Sequence, residues 1–282
     1  MSDTPLLSLC VPTHNRLPYL RELLPQLLRE IGEADATGKR IEFLVLENAA
    51  TDGTTEYLRA LNGSGLTHIR HPSDIGGDRN FLACIERARG TYIWLFGDDD
   101  LVEPGAVARL IGLLDRERPV LAILPDAAQS LSPVKSVVYY DYAACLRATS
   151  ASFALSHTLI SANVFQRQAF DLAQAYAMLP TNYSHMHGLL GGLQRGGTVA
   201  LIGGVLRVRP VRAPFARQPM ALCVKQAAYV WRLARDFDVR RFRLTAIRLL
   251  LNLPLEFLFV CTLPLRTAVA PDQMASPPPA GK

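Results

Sequence analysis

Five consecutive apolar or aromatic residues, Tyr92, Ile93, Trp94, Leu95 and Phe96, run into Gly97 and then three carboxylates, Asp98, Asp99 and Asp100. A strand with no polar alternation is buried on both faces, so the sheet that holds it needs a covering layer on each side. The strand ends on a concentration of like charge. Packed carboxylates repel unless a cation lies between them, and oxygen ligands at this density suit a hard divalent ion such as Mg²⁺ or Mn²⁺. The competing reading is a solvated acidic turn that closes the strand and caps the helix after Pro104.

Upstream of this point short apolar runs alternate with helical spacings. Leu6 to Val11 and Ile41 to Leu46 read as buried strands, and Leu17, Leu20, Leu24, Leu27, Leu28 and Ile31 recur at helical intervals between them. Thr54 to Leu61 predicts a short helix, Leu66 to Arg70 a brief strand, and Arg79 to Ala88 a helix capped by Asp78. After Pro104, Val107, Leu110, Ile111 and Leu114 give a further helix an apolar face, and Val120 to Leu124 reads as a strand. Such alternation builds a mostly parallel, Rossmann-like α/β sheet flanked by helices. Beyond Pro125 the pattern predicts strands at Val134 to Tyr140 and Val199 to Val208, with helices at Val164 to Ala177 and His185 to Gln194.

Charge is unevenly distributed in a chain of net +5. Arg207 to Leu250 holds eleven basic and two acidic residues, net +9, which leaves the remainder at −4. This basic stretch runs into Leu244 to Leu265, an apolar segment interrupted by Arg248, Asn252, Pro254 and Glu256, which argues against a clean membrane span. It suits a basic amphipathic pair of helices lying on an anionic membrane, or a helical hairpin packed on the chain's own core. No nucleic-acid module accompanies the charge, so a nucleic-acid partner is not expected. The five scattered cysteines form no Cys-x-x-Cys pair, and Met1 to Leu7 lacks a secretory pattern. The expectation is a cytoplasmic protein, peripheral on the inner face of the cell membrane. Residues 1–215 are expected to form the catalytic domain, nucleotide-binding to about 116, followed by a helical tail over 216–270 and a disordered end over 271–282.

In an open parallel sheet, ligands bind outside the carboxyl ends of the strands. Polar residues cluster at three such ends: Pro12-Thr13-His14-Asn15-Arg16, Glu47-Asn48-Ala49-Ala50-Thr51-Asp52-Gly53-Thr54, and the acidic triplet. Between them, Gly76 and Gly77 precede Arg79 and Asn80 at a helix start, where free N–H groups can meet a phosphate.

This ordered set, with Gly90-Thr91-Tyr92 leading into the acidic triplet and Pro104, resembles the family-2 glycosyltransferases of the GT-A fold. The likeness is strong from about Leu6 to Leu114 and weaker to about Arg212, where it resembles the abequosyltransferase-type branch that builds bacterial O-antigens. It implies metal-assisted, inverting transfer of a sugar from a nucleotide diphosphate donor to a saccharide or polyprenol-linked acceptor. Under this resemblance Pro12 and Thr13 line the base and ribose pocket, and Asn15, Arg16, Glu47, Asn48, Asp52, Gly76, Arg79, Asn80 and Asp98 complete the nucleotide-sugar site. Asn48 stands where paired acids are common, and its amide can serve CDP, UDP or dTDP, with a lean to cytosine; it can equally cap a turn. The acidic motif commonly reads Asp-x-Asp-Asp. Aligned on Pro104, Gly97 falls at its missing first acid, which leaves Asp98, Asp99 and Asp100 as metal ligands with Asp99 leading.

Inverting transfer needs a base opposite the leaving group, usually an acid of the family's second half. None lies near Tyr183-Ser184-His185-Met186-His187, so His185 and Asp171 are the expected catalytic residues, with Asp126 a further candidate. A sugar-phosphate nucleotidyltransferase would carry a glycine-rich loop after the first strand, which is absent here. A non-catalytic nucleotide-sugar binder or membrane scaffold remains the alternative, given Gly97 and the unassigned base.

Overall fold

The computed structural model describes residues 4–61, 63–126, 136–149, 158–181, 183–208, 231–232 and 235–236. Strand β1 (Leu7–Thr13) lies between β2 (Ile41–Glu47) and β4 (Tyr92–Leu95), both parallel to it, and β3 (Thr67–Arg70) extends the sheet beyond β2. The second half adds β8 (Asn163–Gln166), antiparallel to both β4 and β6 (Leu121–Ile123). Strand β9 (Val199–Ile202) runs parallel to β6, and β7 (Ser136–Tyr139), which α5 (Tyr142–Ala148) follows, closes that edge. The eight strands run in the order β3-β2-β1-β4-β8-β6-β9-β7. A separate ribbon pairs β5 (Leu101–Val102) with β10 (Leu206–Arg207).

Strand period explains the two cores. Leu9 and Val11 of β1, Phe43 and Val45 of β2 and Trp94 of β4 share one buried cluster with Leu20, Leu24 and Leu27 of α1 (Leu17–Ala34) and Val107, Leu110 and Leu114 of α4 (Ala106–Glu117). The alternate residues Cys10, Leu44, Leu46, Ile93 and Leu95 join the other, with Leu82 and Ile85 of α3 (Gly77–Arg87) and Leu189 and Leu190 of α7 (Ser184–Leu193). Both faces of the central strands are therefore dry, as the unbroken apolar run requires. Each fully buried leucine contributes about 1.5–3 kcal/mol.

Three expectations fail. Val164 to Ala177 is not one helix. Val164 pairs with Trp94 and Ala122, and Phe165 with Ile93 and Leu121, so a vacant lane between β4 and β6 overrides the local helical pattern. A 3-10 turn (Arg167–Ala169) and the short α6 (Leu172–Tyr176) follow. Nor does Asp78 cap α3. That helix begins at Gly77 after Gly76, whose φ of 84° suits a residue without Cβ, and the Asp78 carboxylate instead accepts from the Ser184 hydroxyl at 2.9 Å. Val199 to Val208 splits into β9 and β10.

No helix among the described residues is long and apolar enough to cross a membrane. Within 216–270 only 231–232 and 235–236 are described, as helix, with Asp236 Oδ2 3.6 Å from His187 Nε2 and 3.5 Å from Arg232 Nε. The apolar stretch from Leu244 to Leu265 and the end over 271–282 lie outside the described residues.

Helix α7 approaches the segment before it so closely that only glycine fits. A Cβ on Gly192 would stand 1.4 Å from the Ala169 carbonyl oxygen. Gly112 of α4 faces open space, with nothing within 4 Å of the same position. Gly192→Ala should thus destabilise the protein by about 3 kcal/mol or more, while Gly112→Ala should stabilise it by about 0.5–1 kcal/mol. Urea unfolding of the two variants checks this, and equal shifts would contradict the packing.

Candidate active site

Because β1, β2 and β4 are parallel, their carboxyl ends lie on one edge, and antiparallel β8 brings its entry, Leu159 to Ser161, to the same edge. A cavity of about 470 Å³ opens there. Pro12, Thr13, His14 and Arg16 line it after β1, Asn48 after β2, Asp74, Gly76, Gly77, Asn80 and Phe81 around the start of α3, Gly97 to Asp100 after β4, and Leu159, Ile160 and Val208 from the second half.

At one side the Thr13 hydroxyl donates to Asp98 Oδ2 at 2.7 Å. Arg16 Nη1 stands 3.7 Å from Asp99 Oδ2. Asp100 is buried, and its Oδ2 accepts from the Ser161 hydroxyl at 2.6 Å. Burial pushes Asp98 up to about 7; the Thr13 bond and Arg16 counteract it, and the carboxylates of Asp99 and Asp100 reinforce it. This is the crowding of like charge that the triplet implied.

At the other side the Asn48 amide is held in one orientation. Its Oδ1 accepts from Ile75 N at 2.9 Å and its Nδ2 donates to Asp74 Oδ1, which also accepts from Gly76 N at 2.8 Å. These bonds, the Gly76 N–H first, hold the Asp74 carboxyl below the usual range. His14 Nδ1 meets the Asn48 carbonyl oxygen at 2.5 Å, and its Nε2 meets Asn15 Nδ2 at 3.0 Å and stands 3.9 Å from Asp74 Oδ2. Asn80 donates to the Leu46 carbonyl and meets His71 Nε2, both at 3.0 Å.

Several expected residues do not line the cavity. Glu47 is fully buried and turned toward β3, where Thr55, Arg70, His68 and the Ala50 N–H occupy its carboxylate; these bonds outweigh burial and keep its pKa low. Asp52 lies just before α2 (Thr54–Ala60), where it accepts from the Thr54 N–H and hydroxyl and from Leu17 N, tying α2 to α1. Asn15 Oδ1 accepts from Thr51 N at 2.7 Å, and Arg79 is exposed on α3. Asp171 caps α6 by accepting from Gln174 N at 3.0 Å. His185 is buried beside Phe81 and Tyr183, its Nε2 donates to the Thr158 carbonyl at 2.8 Å, and its Nδ1 meets no partner among the described residues. Burial lowers its pKa, against the Thr158 bond and the nearby Asp78 charge. Asp126 Oδ1 accepts from the N–H of Val208, a cavity residue, at 3.1 Å. His14 and Asp74 lie inside stretches whose motif character was visible, whereas Ser161 carries no local signal.

The donor chemistry fits a hard divalent ion shared with a diphosphate. Asp99 Oδ1 and Asp100 Oδ2 stand 3.3 and 3.2 Å from the point where a Cβ on Gly97 would sit, so two carboxylates converge on one small cradle. Among the described residues no group of three His, Cys, Asp or Glu side chains forms a complete cage. Mg²⁺-type sites commonly use one or two carboxylates and take their remaining ligands from substrate phosphates and water.

Asp98 gives a pH signature. Its folded value of about 7 lies above the ordinary 3.8, so between these values the folded state binds more protons than the unfolded chain. Its contribution to stability is full at low pH and is lost as pH rises through 7. Buried His185 and His187, both lowered chiefly by burial, act in the opposite direction below about 6.5, so the informative quantity is a difference. Unfolding free energy in EDTA should rise for Asp98→Asn relative to the parent as pH goes from 4 to 8. Parallel pH curves would contradict the assignment.

The model of the Glycosyl transferase family 2 matches residues 8–135. Abequosyltransferase RfbV of Salmonella typhimurium is 36% identical over 118 residues, 41% of this chain and 34% of that protein. Uncharacterized protein MT1568 of Mycobacterium tuberculosis is 25% identical over 45% of this chain and 38% of its own length, so the chain spans little more than a third of either relative. S. aureus TarS 1-349 in complex with UDP-GlcNAc superposes with a TM-score of 0.60 at 12% identity, covering 93% of this chain and 76% of that one. Mannosyltransferase PcManGT from Pyrobaculum calidifontis, in complex with GDP-Man and Mn²⁺, gives 0.56 at 14% identity over 94% and 81%. At such identities these two structures show the shared GT-A fold. Residues 8–135 are thus similar to the Glycosyl transferase family 2, a match over less than half of the chain.

Proposed function

We propose that this chain is an inverting glycosyltransferase that moves a sugar from a CDP, UDP or dTDP donor to a saccharide or polyprenol-linked acceptor in surface polysaccharide synthesis. The observation that carries the proposal is the convergence of Thr13, Asn48 and Asp98 to Asp100 on one cavity large enough for a nucleotide sugar. Support comes also from the donors in the names of the structural neighbours and from the abequosyltransferase relative.

In this reading the acceptor hydroxyl oxygen attacks the anomeric carbon while the bond from that carbon to the β-phosphate oxygen breaks. The nucleoside diphosphate leaves, and the hydroxyl proton passes to a base. Asp99 and Asp100 would hold Mg²⁺ or Mn²⁺, which when bound offsets the charge developing on the departing diphosphate. Pro12 and Thr13 border the nucleoside, Arg16 faces the diphosphate, and the fixed Asn48 and Asp74 pair offers the base one donor and one acceptor. Of the three candidate bases, Asp126 has the closest tie to the cavity, through Val208, whereas His185 and Asp171 are engaged behind its wall.

A panel of nucleoside diphosphates with and without Mn²⁺ tests the donor side by thermal stabilisation. A ligand at a hundredfold its Kd adds about 2.7 kcal/mol. Metal-dependent stabilisation by a pyrimidine nucleoside diphosphate is expected. Asp99→Ala should keep the fold and lose transfer by about a hundredfold or more, and Asp126→Asn should lower kcat while nucleotide binding persists. Full activity of Asp99→Ala in EDTA, or no stabilisation by any member of the panel, would overturn the proposal.

We also propose that the basic stretch from Arg207 to Leu250 places the chain on the cytoplasmic face of the membrane, beside a lipid-linked acceptor. Each clustered Lys or Arg gains about 1 kcal/mol near anionic lipid. The full chain should float with anionic vesicles at low salt and be released at high salt. Equal flotation on neutral and anionic vesicles, or none on either, would contradict this.

A further inference from the structure

Ser161 lies in the second half of the chain, on the 3-10 turn (Ile160–Ala162) that leads into β8, and is fully buried. Its hydroxyl accepts from Gly97 N at 2.7 Å and donates to Asp100 Oδ2 at 2.6 Å. Its carbonyl accepts from Trp94 Nε1 at 2.8 Å, so the residue is anchored to the same strand that delivers the acids. A Cβ on Gly97 would stand 3.1 Å from the Ser161 hydroxyl and 3.2 Å from Asp100 Oδ2. The space an acid at position 97 would enter is thus already filled by the Asp100 carboxylate and the hydroxyl that holds it.

We propose that Ser161 is a positioning residue: it swings the Asp100 carboxylate into the place left by the missing acid at Gly97, so that Asp100 serves as a donor to the cation of the diphosphate site. This rests on the glycosyltransferase reading above. One hydroxyl serves both backbone and carboxylate. With its proton given to Asp100, it can only accept from Gly97 N–H, and this fixes the orientation of the Asp100 carboxylate. Residues that orient a metal-binding carboxylate typically change metal affinity 10–100-fold when removed. Gly97 and Ser161 then form one device. A side chain at 97 would push the carboxylate away, and loss of the hydroxyl would release it.

The test is a double-mutant cycle on Mn²⁺ affinity, read by the electron paramagnetic resonance of free Mn²⁺ in the presence of saturating UDP, or CDP where that binds better. Ser161→Ala and Asp100→Asn should each raise the Mn²⁺ Kd about 10-fold, and the double variant should match Asp100→Asn alone, because both changes act through one carboxylate. Nucleotide binding without metal should be unchanged. Gly97→Ala provides a second approach from the opposite side of the contact and should weaken Mn²⁺ similarly, even where Ser161→Ala fails to fold. Additive effects, or Mn²⁺ affinity within twofold of the parent in both Ser161→Ala and Gly97→Ala, would overturn the positioning role while leaving the functional reading intact. A parent protein that binds nucleotide but no Mn²⁺ would overturn this inference and the metal part of that reading together.

Discussion

The antiparallel pairing of β8 with β4 is the constraint on which the rest depends. Trp94 opposite Val164, and Ile93 opposite Phe165, join the two halves of the chain into one sheet. Because β8 runs against β4, its entry lies beside the exit of β4, which sets Leu159, Ile160 and Ser161 against the acidic triplet. Were β8 parallel, the same residues would stand at the opposite edge of the sheet. The wall of the cavity is thus a consequence of strand direction, and strand direction is held by two dry cores that tolerate no polar face.

That arrangement concentrates charge where the sheet offers no compensation of its own. Asp98 is tethered by Thr13, Asp100 by Ser161, and Asp99 faces Arg16 at 3.7 Å. Each carboxylate has a different partner from a different segment. Burial, reinforced by the neighbouring carboxylates, lets Asp98 hold a proton to about pH 7. A cation and a diphosphate entering this space would meet oriented oxygens on one side and the N–H groups at the start of α3 on the other.

What could be read from the chain was local. The unbroken apolar run of β4, the helical spacing of α1 and the polar residues at strand ends all sit within a few residues of one another, and the structure places Pro12, Thr13, Arg16, Asn48, Gly76, Asn80 and the acidic triplet around one cavity. What could not be read depends on distant partners. Glu47 ends β2 as a binding residue would, but Arg70 and His68 on the neighbouring strand draw it into the interior. His185 opens α7 as a catalytic residue would, but α7 is buried nearly all round and the imidazole faces Phe81 and Tyr183. Val164 and Phe165 carry a helix-like context that only the gap between β4 and β6 overrules. Ser161 is 61 residues from the carboxylate it holds, and no spacing rule connects them.

The most direct measurement is a crystal structure of the protein with the stabilising nucleoside diphosphate and Mn²⁺, with anomalous differences collected near the manganese edge. The account predicts one anomalous peak in the cavity, at about 2.1–2.3 Å from an oxygen of Asp99 or Asp100 and from the diphosphate, with the base on the side of Asn48 and Asp74. A nucleotide bound elsewhere, or a peak with no carboxylate of the triplet around it, would contradict the account.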